Sequence, residues 1–338
     1  MKDGYGREID YLRISVTDRC NLRCLYCMPE DIVTVPMKDI LTFEEIVQTV
    51  RSASELGISK IKITGGEPLV RRNVCHLIGQ LKEIPGIDQV TLTTNGILLQ
   101  QFMDELEAAG TDVINISLDT LDRSLYQRIT GYDALDSVIG GLELAVKRGI
   151  PVKINAVSAD WKRVFGEPTA EEGSAVSEDM KALIGLAEEN PVDVRFIELM
   201  PIGYGKRFPG ISHDQLILRI RDMYGGIKKV SRQGNGPAVY YSIPGYRGSI
   251  GFISAIHGKF CDGCNRIRLT SKGYLKSCLC YNTGVDIKEI LRGEEAGSRK
   301  SEALNRALKQ CILSKPASHS FNQQEKITEK MAMSAIGG

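Results

Sequence analysis

Residues 11–27 read YLRISVTDRCNLRCLYC, a short apolar run followed closely by three cysteines. The β-branched and aromatic residues at its start predict a strand over 11–16. Cys20, Cys24 and Cys27 then form a C-x3-C-x2-C pattern on the loop that leaves this strand. In parallel α/β folds that end of a strand carries the reaction chemistry. The stretch therefore predicts a β/α unit with a metal-binding or redox-active loop.

The order of strand and helix repeats through the first two thirds of the chain. Short apolar runs, as expected for strands covered by helices, alternate with segments of helical periodicity. Thr42 and Glu45 form a capping box before the first helix. Six such units predict an α/β fold with a parallel sheet, and the pattern fits a partial barrel or a doubly wound sheet. The predicted strands are 11–16, 60–64, 89–94, 112–118, 151–157 and 192–199, and the predicted helices are 42–56, 71–83, 98–109, 136–148, 177–189 and 212–224.

The repeating pattern ends near residue 226, which predicts two domains, 1–225 and 226–338. Residues 226–260 are rich in Gly, Tyr and Ser and predict hairpins and loops, with helices returning at 285–292 and 299–312. The polar stretch 158–176 interrupts the first domain and predicts a loop.

Composition excludes several classes of partner. The chain has 338 residues, with 43 Lys+Arg against 42 Asp+Glu and a net charge of +1, which argues against a broad nucleic-acid or membrane surface. No run approaches the roughly 18 apolar residues of a membrane helix, and the N-terminus has no apolar signal core. The nine cysteines are too few for a disulfide scaffold, so we expect reduced thiols and a cytoplasmic protein.

Cys20, Cys24 and Cys27, here called the first triad, place three thiolates within eight residues. Such thiolates repel one another unless a metal neutralises them. A structural zinc site takes four ligands, whereas a three-cysteine iron–sulfur cluster leaves one iron open for chemistry. Free thiols, or a redox pair formed by Cys24 and Cys27, are the alternatives.

Cys261, Cys264 and Cys278, here called the second triad, form another group of metal-ligand type. Cys280 is a rival to Cys278, and all four cysteines would suit a zinc ion. Arg266 and Arg268, at alternate positions of an extended segment, suit an anionic ligand, because guanidinium forks bind phosphate oxygens in pairs.

The cysteine loop CNLRCLYC resembles the motif of the radical S-adenosylmethionine enzymes, and TGGEP at 64–68 resembles their glycine-rich motif. The resemblance implies a partial (β/α)6 TIM-type barrel with a [4Fe–4S] cluster on the first triad. Its open iron would bind the amino and carboxylate groups of S-adenosylmethionine. The residues implied to contact that cofactor are Tyr26, Gly66, Ser117 and Met200.

FCDGCNRIRLTSKGYLKSCL at 260–279, VRFIELMPIG at 194–203 and the terminal IGG resemble the MoaA family of GTP 3′,8-cyclases. The resemblance implies a C-terminal α+β extension that carries a second [4Fe–4S] cluster on the second triad, with its open iron facing the purine. Gly337 and Gly338 match a tail that enters the active site. The substrate contacts implied are Arg13, Lys62, Thr93, Lys153, Arg266, Ile267 and Arg268.

The implied activity is that of a lyase-class enzyme in molybdenum cofactor synthesis. A 5′-deoxyadenosyl radical removes hydrogen from C3′ of GTP, and the C3′ radical attacks C8 of guanine to give 3′,8-cyclo-7,8-dihydro-GTP. The implied partners are an electron donor of flavodoxin or ferredoxin type, a downstream cyclic pyranopterin synthase and a second copy in a homodimer. A peptide-modifying radical S-adenosylmethionine enzyme and a non-catalytic iron–sulfur or zinc protein remain as alternatives.

Overall fold

The computed structural model describes residues 1–28, 35–167, 176–231, 234, 236–295 and 297–337. The described residues form one sheet of twelve strands, numbered here in chain order. The strands are β1 Tyr11–Ser15, β2 Lys60–Thr64, β3 Gln89–Thr94, β4 Val113–Ser117, β5 Val152–Ser158, β6 Asp193–Glu198, β7 Lys228–Val230, β8 Val239–Ser242, β9 Ser249–Ile253, β10 Arg266–Leu269, β11 Tyr274–Lys276 and β12 Gly284–Asp286.

Helices follow each of the six predicted strands, as the sequence pattern indicated. The capping box at Thr42 is confirmed, because its hydroxyl accepts from Glu45 N at 3.2 Å and the Glu45 carboxylate accepts from Thr42 N at 2.7 Å. The helices are α1 Phe43–Glu55, α2 Val74–Lys82, α3 Leu99–Ala108, α4 Arg123–Thr130, α5 Leu135–Lys147, α6 Trp161–Val164, α7 Glu178–Glu189, α8 His213–Met223, α9 Lys288–Arg292, α10 Ser298–Leu313 and α11 Met333–Ile336.

Strands β1 to β6 lie side by side in chain order and run parallel, which confirms the partial (β/α)6 barrel. The C-terminal part adds a parallel strand at each side: β10 pairs with β1, and β9 pairs with β6. Hairpins then extend both sides, through β11 and β12 on one and β8 and β7 on the other. The sheet thus continues across residue 225, while the domain boundary placed there stays a prediction.

The strands are apolar on one face only, which corrects the expectation of apolar strands. In β1, Leu12 and Ile14 are fully buried against the helices, whereas Arg13 between them lines the inside of the barrel. In β2, Lys62 lies on the inner face in register with Arg13. A partial barrel keeps an open interior, so the inner face can hold charged side chains that a packed sheet would exclude.

Candidate active site

The first triad lies where the predicted fold places it, on the loop after β1. Its three cysteines line a cavity of about 290 Å³ at the C-terminal ends of the strands. Thr64, which ends β2, and Ser117, which ends β4, line the same cavity. The C-terminal end of α4 holds the loop from outside, because Leu25 N donates to Ile129 O at 3.0 Å.

The glycine-rich turn after β2 packs directly on the chain that enters the cysteine loop. A Cβ on Gly65 would lie 2.6 Å from Thr17 O, and one on Gly66 would lie 2.3 Å from Arg19 O. Backbone hydrogen bonds follow from this approach, since Gly66 N donates to Thr17 O at 2.7 Å. The glycines are therefore required by the contact between the two motifs, and both also line the cavity.

Glu67 fastens the same turn to the end of β3. Its carboxylate accepts from Asn95 N at 2.7 Å, from Thr94 Oγ1 at 2.8 Å and from Leu69 N at 3.0 Å. Burial raises the pKa of Glu67 to about 7, although these three donors favour the ionised form. Glu67 therefore has hydrogen-bond partners within the protein, and these hold the glycine-rich turn against the end of β3.

The four residues predicted to contact the cofactor all line this cavity: Tyr26, Gly66, Ser117 and Met200. The Tyr26 hydroxyl donates to Asp119 Oδ2 at 2.8 Å, and its ring lies 5.5 Å from that of Trp161. Burial and the nearby Asp119 charge raise the pKa of Tyr26 well above its usual value, so the phenol keeps its proton. The hydrogen bond to Asp119 and the contact with the Trp161 ring fix the orientation of the Tyr26 side chain.

The second triad lines the same cavity as the first, so the cavity lies between the two cysteine groups. Cys278 lines it, whereas Cys280 is fully buried in the adjoining apolar cluster with Ile202 and Phe321 and is not part of the cavity lining. The sulfur of Cys280 accepts instead from Ser320 N at 3.4 Å. The structure thus brings Cys278, and not Cys280, to the site.

The thiols differ in their electrostatic surroundings. Burial raises the pKa of Cys27 to about 12. Burial also opposes ionisation of Cys264, but the charges of Lys315 and Arg266 lower its pKa to about 7. In the described part of the chain, no three His, Cys, Asp or Glu side chains form a site for one metal ion; a four-iron cluster binds each thiolate through a different iron.

The interior of the barrel below this cavity is strongly basic. It opens into a second cavity of about 990 Å³ at the N-terminal ends of the strands, and Arg13, Thr93, Asn155 and Arg266 line both. Burial and neighbouring guanidinium charges lower the pKa of Arg13 to about 10, even though Tyr11 opposes the shift. The basic side chains lining the two cavities include Arg13, Lys62, Lys153, Arg195, Arg266 and Arg268.

This positive charge has few acidic partners. Asp193 pairs with Lys153 at 2.9 Å. Burial, together with the charges of Arg195 and Arg13, lowers the pKa of Lys62 well below its usual value. Mutual repulsion of this kind favours an anionic ligand that neutralises the group.

Within the described part of the chain, several buried polar atoms that line these cavities lack a hydrogen-bond partner. An unpaired buried donor or acceptor costs about 1–3 kcal/mol, and a ligand in the cavity would remove that cost. The donor set, with two groups of three thiols around one cavity and cations lining it and the cavity below, fits two clusters and an anionic substrate. The unpaired atoms include Arg13 Nε, Thr93 Oγ1, Asn155 Oδ1, Arg266 Nε and Ser277 Oγ.

Ile267 and Gly337 lie in different surroundings. Ile267 is fully buried in the hydrophobic core, on the opposite face of β10 from its arginine neighbours, so its side chain does not line either cavity. Its contact with substrate, through the backbone, stays a prediction. Gly337 lies inside the barrel mouth, where its carbonyl accepts from Arg268 at 2.6 Å. A Cβ there would lie 3.2 Å from Thr64, and φ is +73°. Gly338 lies outside the described residues.

Sequence reasoning missed three side chains of the site. Arg195 and Asn155 each lie two positions after a polar residue, Asp193 and Lys153, so strand alternation could have assigned them to the inner face. Lys315 lines the cavity from the segment after α10, and its neighbours in sequence give no signal.

Family models match both parts of the chain. Residues 14–158 match the model of the Radical SAM superfamily, and residues 192–321 match Molybdenum Cofactor Synthesis C. A GTP 3′,8-cyclase of Clostridium perfringens (strain 13 / Type A) is 42% identical over 345 residues, with 100% of both chains covered. A GTP 3′,8-cyclase of Petrotoga mobilis is 40% identical, again with 100% of both chains covered.

Solved structures show the same fold. Streptococcus suis SuiB bound to S-adenosylmethionine aligns with a TM-score of 0.62 and 17% identity, over 83% of this chain and 64% of that one. At this identity the likeness concerns the fold alone. None of the helices in the described part of the chain is long and apolar enough to cross a membrane.

Proposed function

The chain belongs to the GTP 3′,8-cyclase family, and we propose that its two cysteine triads hold the two clusters at opposite ends of one substrate cavity. It is a radical S-adenosylmethionine enzyme of the lyase class that converts GTP to 3′,8-cyclo-7,8-dihydro-GTP, the first step of molybdenum cofactor biosynthesis. Its cofactors are S-adenosylmethionine and two [4Fe–4S] clusters. The observation that carries the site assignment is that both triads line the same cavity, above a basic barrel interior.

The ligands of the first cluster are Cys20, Cys24 and Cys27. When bound there, S-adenosylmethionine supplies the 5′-deoxyadenosyl radical that removes hydrogen from C3′ of GTP. The chain orients this cofactor through residues around the cavity mouth. We assign these positions to Tyr26, Gly66, Ser117 and Met200.

The basic interior binds the triphosphate. A triphosphate carries a charge of about −4, and guanidinium groups bind its oxygens in pairs. Arg13, Arg266 and Thr93 lie at the junction of the two cavities, whereas Lys62 and Lys153 lie in the lower one. We assign Arg13, Arg266 and Thr93 to positioning the nucleotide. We assign Lys62 and Lys153 to binding the terminal phosphate end of the triphosphate.

Cys261, Cys264 and Cys278 hold the second cluster, whose open iron faces the purine. Arg268 binds substrate and also orients the tail, because it donates to Gly337 O. The proposed role of Gly337 and Gly338 is to complete the active site from the C-terminus, so that C3′ meets the radical and not solvent.

We further propose an electron donor of flavodoxin or ferredoxin type, a downstream cyclic pyranopterin synthase, a homodimer and a cytoplasmic location. Cysteine thiols that ligate iron–sulfur clusters need a reducing compartment, which supports the proposed location. The domains proposed are a core over 1–225 and a C-terminal part over 226–338.

The test is an anaerobic incubation with S-adenosylmethionine, dithionite and GTP. We expect GTP-dependent 5′-deoxyadenosine and about eight irons per chain. Turnover with a peptide in place of GTP would instead support a peptide-modifying enzyme. About one zinc and no sulfide would support a non-catalytic metal protein.

A further inference from the structure

A buried ammonium group lies beside the second triad. Lys315 follows α10 and is only 4% exposed. Its Nζ donates to Arg266 O at 2.8 Å and to Ser277 O at 2.7 Å. Its charge also lowers the pKa of Cys264, which lines the same cavity. The two carbonyl oxygens hold the ammonium in place, because each accepts one of its three N–H donors.

These hydrogen bonds hold the ammonium group of Lys315 beside the segments that carry Cys264 and Cys278. Arg266 follows Cys264 by two positions, and Ser277 directly precedes Cys278. The third cysteine, Cys261, receives a neutral donor from the same segment, because His319 N donates to its sulfur at 3.4 Å. The segment from Lys315 to His319 thus borders the whole triad.

The hydrogen-bond partners of Lys315 in the described part of the chain are two carbonyl oxygens, and no carboxylate there forms an ion pair with it. A buried charge of this kind is costly unless an opposite charge compensates it. A cluster bound through three thiolates is negatively charged and would supply that compensation.

We propose that Lys315 sets the reduction potential of the second cluster, an inference that rests on the proposed ligand set. On reduction the cluster core takes one electron from an external donor such as dithionite, and the net charge with three thiolates changes from about −1 to about −2. A fixed positive charge stabilises the reduced form more than the oxidised form and so raises the potential.

The first triad serves as an internal reference. Cys20 accepts from Leu22 N at 3.4 Å and from Asn95 Nδ2 at 3.8 Å, both neutral donors. A change at Lys315 should therefore move the potential of the second cluster alone.

The experiment compares reconstituted wild type with K315Q, K315M and K315R in an anaerobic redox titration followed by electron paramagnetic resonance. Gln keeps a donor for the backbone carbonyls without the charge, Met keeps only the length, and Arg keeps the charge. We expect Gln and Met to lower the potential of the second cluster, and Arg to leave it near wild type. Lys288→Gln, which removes an ion pair with Asp39 near the surface, is the matched control and should change neither potential.

Iron and sulfide counts separate the possible failures. If wild type holds both clusters and the neutral variants keep its potential, the role of Lys315 is overturned while the proposed function stands. If both neutral variants lose the second cluster, the proposal is also overturned, because Lys315 then holds the site together. If wild type itself lacks a second cluster, the ligand assignment and this inference both fail.

Discussion

The two triads are built in different ways around the same cavity. The first occupies one loop of eight residues, and its supports come from the next turn and from α4. The second is assembled from distant parts of the chain. Arg7, near the N-terminus, donates to Cys261 O and Ala317 O, both at 2.9 Å, and Lys315 comes from beyond α10. A local site can be recognised from its motif, whereas a distributed site needs the fold to bring its supports together.

We expect the largest loss of activity from a substitution in the first triad, whose ligands lie on one loop. Cys24→Ser removes one ligand of the first cluster, so we expect no detectable 5′-deoxyadenosine and a fall from about eight irons to about four. The second cluster should remain, because its ligands lie on other segments. Cys75→Ala, which alters a buried helical cysteine outside the cavity, should keep the full iron content. Loss of both clusters in C24S would contradict the independence of the two sites.

At the second triad, separate substitutions of the neighbouring cysteines Cys278 and Cys280 test which of them binds the cluster. Cys278→Ala should remove about half of the iron, because this cysteine lines the cavity. Cys280→Ala leaves a small hole in the apolar cluster, so it should lower the melting temperature and keep the iron. The opposite result, with iron lost only in C280A, would reverse the ligand assignment.

Two glycines, Gly66 beside the first triad and Gly263 within the second, test how far each site depends on close backbone packing. Gly66→Ala places a Cβ 2.3 Å from Arg19 O, whereas a Cβ on Gly263, inside the second triad, meets nothing within 4 Å. We expect G66A to lower product formation by about tenfold or more through displacement of the first loop, and G263A to change it little. Equal losses in both variants would show that the contact with Arg19 does not set the geometry of the first loop.

The smallest effect concerns pH. Burial raises the folded-state pKa of Glu67 to about 7, above the ordinary 4.5. The stability linked to its protonated form is present below about 4.5 and is lost as pH rises toward 7, by about 3 kcal/mol at most. Urea unfolding of the cluster-free protein at pH 5 and pH 7.5 should show this decline. The decline should weaken in Glu67→Gln, and an equal decline in wild type and E67Q would assign it to other groups.

The sequence predicted most of the fold because strands and helices carry local signals. The strand over 89–94 was predicted at its observed bounds, and α1, α3 and α5 differ from prediction by one residue at each end. Helix α4 was missed, since it is short and its start depends on Asp122, whose carboxylate accepts from Leu125 N at 2.9 Å. Pairing of β10 with β1 could not be read from sequence, because the two strands lie at opposite ends of the chain.

The candidate site shows the same difference between local signals and long-range contacts. The cysteines and Arg13 were found through motifs, and most of the predicted residues line the two cavities. The side chain of Ile267 lies in the core although its two neighbours line the cavities, because a motif gives neighbours in sequence while strand alternation turns every second side chain to the other face. Arg7 and Lys315 belong to segments without a motif, and only their contacts identify them.

Pairing of β10 with β1 has a consequence for how the protein is made. Tyr11 leaves the ribosome early, whereas its partner Arg266 emerges only after most of the chain has been synthesised. The first loop and its neighbouring turn are complete once the second β/α unit exists, but the second triad needs the nearly finished polypeptide. Maturation should therefore be ordered in time, with one cluster site formed during translation and the other formed last.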